Sequence, residues 1–230
     1  MAKDFSKMFC PGGLVGTNLI KRGAQARTDK KFIAPAKLLL DGYCTPVENQ
    51  KGTPYCAAYA ASSYAESILW RKRNYPEEIP VKPIYDEAKK IDGLPLLRGT
   101  SLEAAMQALL NLGYFDKDKC KVKLFFGEAM GRTDGLQSVK FAVHTYGCCV
   151  AGFNITDSWY KPSFFGNTIN LRKKDVKLGL HAVLITGYEK DRVRIFNSWG
   201  KSYGEDGFVW ISNEAFNDQF SIGAVITNSL

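Results

Sequence analysis

The 230 residues carry a formal charge of +8, with 45% apolar and 23% charged side chains, a composition ordinary for a soluble globular protein. No apolar run approaches the roughly 20 residues that span a bilayer, and Met1 to Cys10 is too polar for a secretory leader. Seven basic side chains and two acidic ones fall within residues 1–32, leaving only +3 to the rest, too little for a nucleic-acid surface, which needs a clustered basic face.

Residues 1–32, rich in Gly, Lys and Arg, read as an extension: either a solvated basic tail or a short regulatory arm. From Cys56 to about Arg73 an alanine-rich run, apolar on nearly every face, predicts a helix buried in a lobe. Thr53 is its candidate N-cap and Pro54 a candidate first-turn residue, which would place Cys56 inside the first turn. Pro76, Pro80, Pro83, Gly93 and Pro95 predict a loop. Helices are expected over about 102–112, closed by Gly113, and about 136–146. Strands are expected at 148–153, 181–188, 193–196, 208–211 and 224–227. Helices first and strands later imply an α+β protein, with a helical lobe at about 41–135 and a β lobe at about 136–230.

Six cysteines (Cys10, Cys44, Cys56, Cys120, Cys148, Cys149) lack CxxC spacing, so no metal is expected. Cys148 and Cys149 read as buried small side chains, and Asn154-Ile155-Thr156 fits a glycosylation sequon. Cys56 differs from the rest. A helix start and a neighbouring imidazolium both favour thiolate, the nucleophilic form, so Cys56 should titrate below an ordinary thiol and its partner above an ordinary imidazole. His181 opens an apolar strand, and Asn197 follows 16 residues later, where a hairpin could bring its carbonyl beside the ring. Trp199 would cover that bond, and Gln50 could join the Cys56 backbone N–H in stabilising an oxyanion. His144, in a surface helix with no partner amide, reads as a bystander.

Three blocks, Thr45 to Cys56, Leu180 to Tyr188 and Asn197 to Phe208, together resemble the signature segments of papain-like cysteine peptidases. The segment Gly99 to Gly113 resembles the substrate-cleft segment of bacterial-type members. The resemblance covers about residues 33–230. It implies a two-lobed fold with the cleft between lobes, Cys56 as nucleophile, His181 as acid/base, Asn197 as its orienter and Gln50 as oxyanion donor. It also implies that Gly99 offers its backbone to an extended substrate, and that Val150, Leu180 and Ala182 wall the subsite next to the scissile residue. Trp199 would shield the His181–Asn197 bond.

Departures from the family pattern are Thr53 in place of a disulfide cysteine, Pro54-Tyr55 in place of a small pair, Ala57 in place of tryptophan, and Tyr203 in place of another tryptophan. The expected activity is hydrolysis of peptide bonds, endopeptidase rather than exopeptidase, by a monomer without cofactor that acts on polypeptides. A zymogen is implied if residues 1–32 lie in the cleft. Two alternatives share the fold: a transpeptidase or ligase through the same acyl-enzyme, and a non-catalytic binding protein. Without a leader, the chain is expected in the cytoplasm or exported non-classically, unless it has been trimmed. No membrane or nucleic-acid partner is expected.

Overall fold

Helix α1 spans Cys56–Arg73 in the computed structural model, which describes residues 32–127, 134–163 and 166–228. The N-terminal extension, Phe32 apart, and Cys10 lie outside the described residues. Ala57, Ala58, Ala61, Tyr64, Ala65 and Ile68 are fully buried, so α1 has almost no solvent face until its last turn, where Arg71, Lys72 and Arg73 meet the negative end of the helix. Asn74, in the left-handed region at φ 61°, ends it.

The start of α1 differs from expectation. Thr53 does not cap it: its hydroxyl turns back to donate to Gln50 O at 2.7 Å, closing a turn over residues 50–53. Tyr55 is the N-cap and Cys56 the first helical residue. Helix α2, Val81–Asp92, replaces the expected loop. Pro80 stands at its N-cap and Pro83 in its first turn, where a missing N–H costs nothing because first-turn N–H groups have no intrahelical acceptor. Helix α3, Leu102–Asn111, begins as anticipated, with Ser101 Oγ accepting from Ala104 N at 3.1 Å.

The strands are β1 (Leu38–Leu39), β2 (Val122–Phe126), β3 (Cys149–Thr156), β4 (Thr168–Ile169), β5 (Lys177–Tyr188), β6 (Arg192–Phe196), β7 (Phe208–Ser212) and β8 (Phe220–Ile226). They form one sheet in the order β2-β8-β3-β5-β6-β7-β4, antiparallel except for β4 beside β7, with β1 added to β5. β1, β2 and β4 were not anticipated, nor was the short helix α5, Asn213–Gln219. Helix α4, Gly135–Tyr146, lies against β2, β3, β5 and β8. α1 packs on β5 and β3 with α2 and α3 behind it, so helix layer and sheet share one core. β1 can approach β5 only because residue 187 is glycine: a Cβ there would lie 2.3 Å from Leu38 O.

This architecture is the expected α+β one, but β5 starts four residues earlier than predicted. His181 therefore sits inside the strand, opposite Phe153, instead of opening it. Pairing with β3 continues past a bulge at Ile155/Thr156 and holds Lys177 to Leu180 extended. No helix among the described residues is long and apolar enough to cross a membrane.

Candidate active site

The β5–β6 hairpin does what the spacing required. β6 returns alongside β5 with Phe196 opposite Leu184, and the next residue, Asn197, accepts from or donates to Gly207 and Ser198 while reaching back to His181. His181 Nε2 and Asn197 Oδ1 are 2.9 Å apart, both residues essentially without solvent exposure. A carboxamide oxygen can only accept, so Nε2 carries the hydrogen and Nδ1 becomes the basic nitrogen. The Trp199 ring lies over the imidazole at 5.0 Å and 32°, and Trp159 meets it edge-on at 6.2 Å. Water is thereby kept from the His181–Asn197 bond.

Cys56 is 1% exposed at the first position of α1, where backbone N–H groups and the helix field converge. The helix that carries it packs on the strand that carries His181. Gln50 is almost fully buried and doubly tied. Its Nε2 donates to Thr53 O at 3.0 Å and its Oε1 accepts from Ser198 Oγ at 2.7 Å. Ser198 N donates to Asn197 Oδ1 at 2.8 Å, so one hydrogen-bonded chain runs Gln50–Ser198–Asn197–His181. The backbones agree with it: Gln50 N donates to Ser198 O at 2.9 Å and Gly200 N to Glu48 O at 3.0 Å. Gly200 sits at φ +81°, and a Cβ there would meet the Asn49 side chain at 2.7 Å, so this junction requires glycine. Sequence reasoning passed over Ser198. It stood inside the quoted Asn-Ser-Trp-Gly block, but its partner, Gln50, is 148 residues away in the chain.

Burial holds the His181 imidazole down at about 4, with the Asn197 bond pulling the other way. This opposes the imidazolium expected from the sequence: a ring enclosed by two indoles loses more hydration than one side-chain amide returns. Burial also lifts the thiols of Cys44, Cys120, Cys148 and Cys149, that of Cys148 to about 11, which keeps them protonated and unreactive. Beside the site, Glu48 is pushed up to about 7 by burial and by the neighbouring carboxylates of Glu66 and Glu78, and its Oε2 has no hydrogen-bond partner among the described residues.

The residues assigned to substrate contacts are less evenly placed. Gly99 O already accepts from Lys89 Nζ at 3.0 Å. Leu180 is half-buried and Ala182 nearly covered, on the face of β5 opposite to that of His181. Val150 is fully buried opposite Leu184, and the residue that faces Ala182 is Gly152. Tyr203 does not line a cleft wall: it is fully buried behind Trp199, ring centroids 4.9 Å apart, and donates to Trp159 O. His144 is exposed, beside Phe32. Asn154 is half-buried with its amide donating to Ser221 Oγ, which makes it a poor glycan acceptor. Among the described residues no group of three or more His, Cys, Asp or Glu side chains could hold a metal ion.

The profile of the papain family cysteine proteases matches residues 115–226. Xylellain, a cysteine protease from Xylella fastidiosa, superimposes with a TM-score of 0.74 at 21% identity, over 98% of each chain. The mite allergens Blo t 1 and Der p 1 are represented by a structure with a TM-score of 0.71 at 15% identity, covering 97% of this chain and 81% of that one. A digestive procathepsin L2 from Tenebrio molitor larval midgut gives 0.64 at 18% identity, over 95% and 78%. Comparison with curated protein sequences finds no match. The chain thus has the fold of the papain-like cysteine proteases over nearly its whole length, and its residues 115–226 match the profile of that family.

Proposed function

We propose that the chain hydrolyses peptide bonds within extended polypeptides, with Cys56 as nucleophile. The observation that carries this reading is the buried 2.9 Å contact between His181 Nε2 and Asn197 Oδ1, which commits Nδ1 to proton transfer. Cys56 gives its proton to Nδ1 and attacks the scissile carbonyl as thiolate. The oxyanion meets the Cys56 backbone N–H and the second Nε2 hydrogen of Gln50, the first being used on Thr53 O. His181 then protonates the departing amine, and the same nitrogen takes a proton from the water that releases the acyl group. Asn197 holds the ring throughout, and Trp199 keeps that bond dry.

Substrate would run extended past Gly99, whose carbonyl retains a second lone pair beyond the one Lys89 uses. Leu180 and Ala182 would face the side chain next to the scissile residue, with Gly152 in the place expected for Val150. Residues 1–32 act in this reading as a zymogen arm, their covalent tether to the domain giving them a high effective concentration.

A thiol-directed epoxide should label Cys56 stoichiometrically, a peptide library should be cleaved, and Cys56→Ala should abolish both. Retention of most activity by Cys56→Ala would refute the assignment. Efficient transfer of the acyl group to an added amine, in preference to water, would make the protein a ligase.

A further inference from the structure

Tyr55 and Tyr85 make a contact that neither the chemistry nor the core requires. Tyr55 immediately precedes Cys56, and Tyr85 lies in α2. Their ring centroids are 4.0 Å apart at 33°, and both side chains remain half-exposed. One turn further along α2, Lys89 Nζ donates to Leu94 O at 2.6 Å, to Gly99 O at 3.0 Å and to Asp92 Oδ2 at 3.1 Å. The loop between residues 94 and 99 is thus fastened to α2 at both ends, and it presents Leu96 and Leu97 to solvent at 95% and 51% exposure.

The ring pair therefore bridges two points that matter for substrate: one ring adjoins Cys56, and the other stands on α2 one turn before Lys89, which holds the Gly99 carbonyl. Successive Cα atoms are about 3.8 Å apart, so the side chain of the residue acylating Cys56 emerges within one residue of the sulfur, where Tyr55 stands. We propose that the Tyr55–Tyr85 ring pair is the wall that receives the side chain of the substrate residue whose carbonyl is attacked, and that it selects an aromatic or large apolar side chain there. This rests on the assignment of Cys56 as nucleophile. Chemistry around the pair narrows the choice. Two aromatic faces favour a third ring, stacked or edge-on. All three Lys89 protons are engaged, leaving none for an acidic side chain, and its pairing with Asp92 leaves no free charge there for a basic one.

The test compares kcat/KM for fluorogenic peptides identical except at that residue (Phe, Leu, Ala, Arg or Asp), using the full chain, Tyr85→Ala, Tyr85→Leu and Tyr85→Phe. The unaltered protein should prefer Phe to Ala by roughly 2- to 12-fold, the range of one aromatic contact. The ratio should collapse toward one in Tyr85→Ala and Tyr85→Leu and survive in Tyr85→Phe, which keeps the ring. Each ratio is taken within one protein, so a general loss of activity cancels. An unchanged ratio in the Ala and Leu variants, or a profile led by Arg or Asp, overturns the inference alone. Absence of both cleavage and epoxide labelling overturns the peptidase reading and this inference with it.

Discussion

Ser198 joins the two amides of the site: its hydroxyl donates to Gln50 Oε1 at 2.7 Å while its backbone N–H donates to Asn197 Oδ1 at 2.8 Å. Gln50 lies on the loop leading into α1 and Asn197 follows β6, so this residue sets the proposed oxyanion donor against the amide that holds His181. Ser198→Ala removes the side-chain half of that link. A neutral hydrogen bond contributes about 0.5–1.5 kcal/mol, so kcat/KM should fall roughly 2- to 12-fold. The loss should appear in kcat, beside a thermal midpoint lower by about 2–4 °C for each kcal/mol lost. An unaltered kcat would show that Gln50 is positioned by other means.

The buried imidazole makes acid stability a direct test. Folded, His181 is held at about 4, against about 6.5 in an unfolded chain. Between those values the unfolded chain takes up a proton that the folded chain refuses. The contribution is therefore complete above about pH 6.5 and is lost as pH falls toward 4. In the Cys56→Ala background, which removes any thiolate, the His181 ring should titrate far below 6.5 by NMR. Denaturation midpoints should decline across the same window. A ring that titrated at or above 6.5 in this variant would contradict the desolvation argument.

The hairpin that joins His181 to Asn197 could be read from residue types and spacing, because the apolar run Ala182 to Ile185 marks β5, Val193 to Phe196 marks β6, and both chemical groups adjoin those runs. The position of His181 within β5 could not. Lys177 to Leu180 alternates only weakly, Leu178 and Leu180 against Lys177 and Gly179, and pairing to β3 across a bulge makes it strand. α2 was hidden by its prolines, which read as loop but fall where a helix tolerates them. Thr53 was misread because the turn to Gln50 competes for its hydroxyl, and Gly152 because facing residues on two strands depend on register, which composition does not encode.

Glu48 gives a second pH-dependent expectation, with the opposite sign. Its folded value is raised to about 7, so protonation is favoured by folding, and the cost of the buried charge grows as pH rises from about 4.5 to above 7. Glu48→Gln should raise the thermal midpoint at pH 8 and leave it nearly unchanged at pH 4. Equal effects at both values would mean that the carboxyl is not charged against Glu66 and Glu78.

Gly152, which carries no side chain, stands opposite Ala182. The subsite beside the scissile residue should therefore accept large apolar side chains. One methylene in such a pocket is worth about 1–3 kcal/mol, so preference should be graded. Gly152→Val should shift the profile toward smaller residues. A wild-type profile led by Asp, Lys or Arg at this position would rule out an apolar pocket.

The all-round burial of α1 has a consequence for how this enzyme can diversify. Ala57, Ala58, Ala61 and Ala65 touch neighbours on every side, so enlarging any of them forces the helix to move, and Cys56 moves with its first turn. Beneficial changes of specificity are therefore excluded from the helix that bears the proposed nucleophile and confined to its borders: the residues before Cys56, the exposed loop around Leu96, and the edge of β5 at Leu180. A randomised library over α1 should return almost only the parental alanines, while one over those three borders should return functional variants with altered substrate choice.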